Sequence, residues 1–197
     1  MKNKQIITML ALAALLGGCN SKTGGNAPAD TTATDSVEGG SSAIAPAEAP
    51  DSTLYGTCGD GSAMNTLQLI TDDGDTMVVS IIDANDRGQC FGGYQIGDRM
   101  AVILTDENTA DQVVNLTAMT GQWVAADKTA INLKADGQAE ITDTTATKQQ
   151  RTWRLHNGRL VIGTGGAADN AQFEIVAIGP DSLVLRGEDG LVGYSRK

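Results

Sequence analysis

The chain predicts an all-β protein made of two small antiparallel barrels in series, on three observations. From Leu54 onward apolar and polar residues alternate with period two, as in Thr66-Leu67-Gln68-Leu69-Ile70-Thr71. Turn signals such as Asp73-Gly74, Asp136-Gly137 and Asn157-Gly158 separate these short runs, and such dipeptides tolerate the positive φ of a tight hairpin. After Met119 about eight such runs follow one another, which makes an up-and-down antiparallel barrel the economical topology.

The chain begins with something else. Lys2 and Lys4 precede an apolar segment from Ile6 to Leu16 that ends in small residues, the layout of a secretory signal over residues 1–18. That segment is well short of the ~20 residues needed to span a bilayer. Leu16-Gly17-Gly18-Cys19 resembles a bacterial lipobox, which implies cleavage before Cys19 and acylation of its thiol and new amine with fatty chains of the palmitate kind. Two or three acyl chains, at ~0.8 kcal/mol per buried CH₂, make a stable anchor, so the expected partner at this end is a membrane reached through lipid.

Without Lys2 and Lys4, 12 of the 14 basic residues face 24 acidic ones, a formal charge of about −12. That argues against nucleic acid or anionic lipid surfaces as partners, since neutralising phosphate takes clustered Lys and Arg. Once Cys19 carries lipid, Cys58 and Cys90 are the remaining thiols, and a pair in an exported chain reads as a disulfide; the alternative, a metal or redox pair, lacks both a Cys-x-x-Cys spacing and a His between the two. Closing a loop of about thirty residues would stabilise the fold by roughly 3–4 kcal/mol in the chain-entropy model.

Residues 19–53 are rich in Gly, Ala, Ser, Thr, Pro and acidic residues and nearly devoid of large apolar ones, so they cannot offset their chain entropy by burial and are expected to be a disordered leash. Its Asp30-Thr31-Thr32, Asp35-Ser36-Val37 and Asp51-Ser52-Thr53 triplets resemble acceptor sites for O-glycans on exported proteins of Bacteroidetes, which implies glycosylation at Thr31, Ser36 and Ser52; a linker of this composition also yields such triplets by chance.

Residues 54–118 carry about five strands: Leu54-Tyr55, Thr66–Thr71, Thr76–Ile82, Met100–Leu104 and Gln112–Leu116. They are expected to form a small barrel of the OB or SH3 kind, with Cys58 and Cys90 in its loops and the Gly- and Asp-rich stretch Asp83–Arg99 as a connection. In residues 119–197 the runs are Gly121–Trp123, Ile131–Lys134, Gln138–Ile141, Gln150–Leu155, Arg159–Ile162, Phe173–Ile178, Leu183–Leu185 and Leu191–Tyr194. Ile131, Leu133, Ala139, Ile141, Trp153 and Leu155 fall on one face, with Asn132, Lys134, Glu140, Thr152 and Arg154 on the other.

The Gly-x-Trp at 121–123, the Asp-Gly hairpin, Trp153-Arg154-Leu155 with Asn157-Gly158-Arg159-Leu160, and Phe173-x-Ile175 with Asp181–Leu185 resemble the lipocalin-like domains of small Bacteroidetes lipoproteins. That resemblance implies a short lipocalin-like barrel over 119–197. Its strands are shorter than those of full lipocalins, and an eight-stranded barrel has little room beyond its own side chains. Trp123, Trp153, Phe173 and Tyr194 are the candidate ligand contacts, with core filling as the competing role for the two tryptophans.

Catalysis and metal binding have little to stand on. Asp83-Ala84-Asn85-Asp86-Arg87-Gly88 opens like a calcium loop, but Arg87 sits where an oxygen ligand belongs and Tyr94 where the bidentate Glu should be. His156 lies in a hairpin turn and reads as solvated, and Asp72, Asp73 and Asp75 share another turn. No enzymatic activity, cofactor or metal is expected. Two functions stay open: a binding module for a small apolar ligand, peptide or glycan, or an interaction lipoprotein such as an envelope sensor or inhibitor that works through its outer surface. A monomer is expected. In the lipoprotein resemblance, surface export goes with acidic residues after the lipidated cysteine; Asn20-Ser21-Lys22-Thr23 instead implies an outer-membrane anchor facing the periplasm.

Overall fold

The computed structural model describes residues 50–164 and 170–197, which fall within one compact unit, Ala47–Lys197. The leader, Cys19, Thr31 and Ser36 lie outside the described residues.

The first half runs β1 (Leu54–Cys58), β2 (Thr66–Thr71), β3 (Thr76–Ser80), α1 (Ile82–Asp86), β4 (Cys90–Phe91), β5 (Arg99–Asp106) and β6 (Thr109–Asn115). Its sheet has the order β3-β2-β1-β5-β6-β4, and a parallel bridge between Ser80 and Thr109 curls β3 onto β6. A three-stranded meander, a helix, and two later strands that return beside β1 give the partly open OB arrangement.

Several expectations change here. The third strand stops at Ser80, because the Ile81 amide turns to the Asn65 carbonyl, and Asp83–Asp86, expected within a connection, are helical. This short helix drives Ala84 into the barrel interior and ends at Asp86; Gly88, with a φ of +67°, takes the C′ position after the Arg87 cap. The calcium-like sequence therefore lies on a helix and its C-terminal turn. Cys58 and Cys90 lie in β1 and β4 rather than in loops.

The second half follows α2 (Leu116–Met119), whose first turn is capped by Asn115: its Oδ1 accepts from the Ala118 amide at 2.9 Å. Then come β7 (Gly121–Ala125), β8 (Ala130–Leu133), β9 (Gln138–Thr142), β10 (Lys148–His156), β11 (Arg159–Gly163), β12 (Ala171–Ile178), β13 (Ser182–Gly187) and β14 (Gly190–Arg196). Each pairs antiparallel with the next, and β14 returns to β7 through Tyr194↔Ala125 and Arg196↔Trp123, which closes the barrel. All eight strands expected after Met119 are present. Ile131, Leu133, Ala139, Trp153 and Leu155 are buried as their alternation implies, with Ile141 half-buried.

Strand alternation builds two cores that share a wall. Met100, Val102 and Val113 point into the first barrel, with Cys58, Leu67, Leu69, Val79, Ile81 and Ala84. Their neighbours Ala101 and Val114 point the other way and join Phe91, Leu116, Met119 and the inward residues of the second barrel. β5 and β6 are thus buried on both faces, and the first sheet stops one end of the second barrel.

Candidate functional site

The interior of the second barrel is occupied by its own side chains. Trp123, Leu133, Leu155, Leu160, Leu183 and Leu185 are each at most 1% exposed and pack in one cluster. Trp123 is a structural keystone: its Nε1 donates to the Met119 carbonyl at 2.8 Å, and the Arg196 guanidinium lies 4.1 Å from its ring centroid. Arg196 also donates to the carbonyls of Ala118, Thr120 and Pro180 at 2.6, 2.9 and 2.7 Å. Gly121 makes room for it, since its φ is +130° and a Cβ there would stand 2.5 Å from Arg196 Nη1. One arginine from the last strand therefore ties α2, the start of β7 and the β12–β13 turn over the stopped end of the barrel.

The site candidates separate accordingly. Trp123 and Tyr194 belong to the core, both at or below 9% exposure. Phe173 is half-buried against that core and borders a depression of about 690 Å³ with Arg186 and Val192. Trp153, 9% exposed, belongs to the same core and also borders a second cleft. Its indole Nε1 donates to the Lys134 carbonyl at 2.8 Å, and the ring helps line a cleft of about 550 Å³ at the seam between the two barrels.

That cleft is built from both halves. Tyr55 and Arg99 reach it from β1 and β5, Leu116, Thr117 and Thr120 from α2 and its end, Ala135–Gly137 from the β8–β9 turn, and Trp153–Leu155 from β10. It forms where the β9–β10 ladder stops at Thr152↔Gln138: beyond the Trp153 amide, which donates to the Gly137 carbonyl at 2.8 Å, β10 is paired with β11 alone. The freed edge is met by Tyr55, whose hydroxyl donates to the Leu155 carbonyl at 2.7 Å. Burial raises the Tyr55 pKa, so the phenol stays protonated and available for that bond.

The rim is charged and internally paired. Arg99 grips Asp72 through both terminal nitrogens and lies 5.8 Å from the Tyr55 ring centroid. Asp72 was expected merely to be solvated in its turn; the Arg99 fork instead holds its carboxyl below the ordinary range. Across the cleft, Arg154 Nη1 stands 3.8 Å from Asp51 Oδ2 and 3.1 Å from His156 Nδ1. His156 is not the solvated turn residue the sequence suggests: its side chain is 13% exposed, with Nδ1 3.4 Å from Asp51.

Asp51 anchors a clasp that the leash expectation missed. Its Oδ1 accepts from the Thr53 amide, the Thr53 hydroxyl and the Asn157 amide at 3.0, 2.6 and 3.0 Å. Ser52 answers by donating from its amide and hydroxyl to Asn157 Oδ1, both at 2.8 Å, so the one glycan candidate among the described residues has its hydroxyl engaged. Residues 50–53 are therefore pinned to the β10–β11 turn rather than being the end of a free linker. Asn157 and Gly158 have φ of +48° and +74°, the hairpin geometry their sequence forecasts, and Gly158 packs so closely that a Cβ would collide with the Gln112 side chain.

Burial alone would raise the Asp51 pKa, but hydrogen bonds from Thr53 and Asn157 outweigh it and hold the carboxyl below its ordinary value. A lowered folded-state pKa means the clasp contributes fully above the unfolded carboxylate range and is lost as pH falls through the folded value. Asp51→Ala should accordingly speed hydrogen exchange at the Asn157 amide at neutral pH, while in wild type that acceleration should need strong acid. Equal exchange in both proteins at pH 7 would contradict the clasp.

Residues 115–197 match the lipocalin-like family model. The match starts at the residue that caps α2 and covers the whole closed barrel. Comparisons with curated proteins and with solved structures return no match. The lipocalin-like likeness suggests a binding module in general terms. Among the described residues, no group of three or more His, Cys, Asp or Glu side chains is placed to hold a metal ion. Cys58 and Cys90 are free thiols that share the first core, and burial pushes the Cys90 thiol up to about 11.

Proposed function

We propose that this protein is a cell-envelope lipoprotein whose folded part is a binding module, and that its ligand sits in the seam cleft rather than inside the lipocalin-like barrel. The observation that carries the reading is the pairing of a filled barrel with a cleft lined by Tyr55, Trp153, Leu116 and Leu155 under a polar rim. Small-molecule sites combine such apolar linings with a few fixed polar groups. A fragment library screened by two-dimensional NMR on the full chain should shift Tyr55, Thr117 and the Trp153 indole.

The competing reading, an interaction lipoprotein that uses its outer surface, draws on Met64, Val78 and Ile96, which are 84%, 51% and 71% exposed on the first barrel. Shifts gathered at those residues and absent from the cleft would favour it.

The envelope part of the proposal rests on the leader and Cys19. A clickable fatty-acid analogue should label wild type and not Cys19→Ser, and equal labelling would sink it. The same export would oxidise Cys58 and Cys90 to a disulfide. Non-reduced material from the envelope should then weigh two hydrogens less than reduced protein, whereas two alkylatable thiols would refute the bridge. The expected orientation remains an outer-membrane anchor facing the periplasm, with a monomeric body.

A further inference from the structure

The geometry points to a neutral saccharide as the ligand of the seam cleft, an inference that rests on the binding reading above. Its first support is the state of the charges. The two guanidiniums in the lining are already engaged, Arg99 by Asp72 through both terminal nitrogens and Arg154 beside Asp51 and His156. Asp136 adds a third carboxylate to the same lining. An anionic ligand would have to break one of these pairs and would meet an excess of negative charge, on a chain whose formal charge is −10.

The second support is shape and chemistry together. A fatty chain needs an apolar enclosure, and here the tightly enclosed apolar space is filled by Trp123, Leu160 and their neighbours. A peptide adding as a strand needs a free sheet edge. The β10 edge that β9 leaves open is already closed at Leu155, whose carbonyl accepts from Tyr55. What the cleft offers is a pair of aromatic rings beside fixed acceptors and donors in one space of about 550 Å³, room for a sugar of a few rings. Sugars present C–H faces that pack on aromatic rings, and hydroxyls that both donate to carboxylates and accept from guanidiniums, which suits a rim whose guanidiniums are already paired and which carries Asp136 as a further carboxylate.

The test is an NMR titration of the full chain with four neutral disaccharides (cellobiose, chitobiose, maltose and lactose), with laurate and glucose 6-phosphate in parallel. At least one disaccharide should shift the Trp153 indole N–H and the Tyr55 amide. Asp136→Asn should weaken that sugar by roughly five-fold or more through loss of a charge-assisted acceptor. This variant keeps the side-chain oxygen that accepts from the Gln138 amide at 3.0 Å, so the turn is retained. Cleft shifts with laurate or glucose 6-phosphate and with none of the disaccharides would overturn the saccharide assignment and leave the binding reading standing. No cleft shift with any of the six would overturn the saccharide assignment, and with an empty fragment screen the binding reading falls as well.

Discussion

Trp123→Ala should cost about 3–5 kcal/mol, the largest single loss expected in this chain. The ring is fully buried, and its removal leaves a cavity bounded by Met119 and the barrel leucines that a rigid closed sheet cannot collapse to fill. It also strips Arg196 of the ring it stacks on, leaving the guanidinium to hold three carbonyls over a void. For a unit of about 150 residues, each kcal/mol moves the melting midpoint by roughly 2–4 °C, so a fall on the order of 10 °C is expected. Arg196→Gln should cost less, and the double variant less than the sum, because both substitutions dismantle one contact. A Trp123→Ala midpoint within a degree or two of wild type would show that the ring is not the keystone of that end.

Gly56→Ala should be the second most damaging change, at the upper end of the roughly 1–3 kcal/mol of overpacking or beyond it. Gly56 has an ordinary extended backbone, so its cost does not come from φ. A Cβ there would stand 2.5 Å from the Ile70 carbonyl oxygen and 2.8 Å from Leu69 Cγ. The oxygen belongs to the β2 backbone, which is held in register by Gly56↔Thr71 and Thr57↔Ile70, so relief requires the two strands to part. Gly193→Ala is the matched control, because a Cβ there meets nothing within 4 Å. Urea denaturation of the two variants should separate them by at least about 1 kcal/mol; indistinguishable midpoints would mean that β1 and β2 are less closely paired than described.

How much of this could be read beforehand follows from the range of each signal. The eight strands after Met119 and their turns were legible because alternation and Asn-Gly or Asp-Gly dipeptides act within a few residues. Helix α1 was not, because five residues are too few to display a helical period. The clasp and the Arg196–Trp123 contact were invisible for a different reason: each joins residues far apart in the chain, and neither Asp51 nor Arg196 carries any local mark of its partner. The shared wall does carry a local mark in the sequence. Met100-Ala101-Val102-Ile103-Leu104 is continuously apolar rather than alternating, the pattern of a strand covered on both faces, and it located the wall where the seam cleft forms.

That shared wall also decides how the molecule comes apart. Ala101 and Val114 serve one core while Met100, Val102 and Val113 serve the other, so neither barrel can melt without stripping apolar cover from strands the other needs. The described part should therefore unfold in a single cooperative transition, and the β5 amides should exchange with solvent only when the whole of it opens. A fragment starting at Asn115 would carry every strand of the closed barrel and still leave the end that Phe91, Ala101 and Val114 cover open to water, so the family-matched segment should be less soluble alone than in its parent chain.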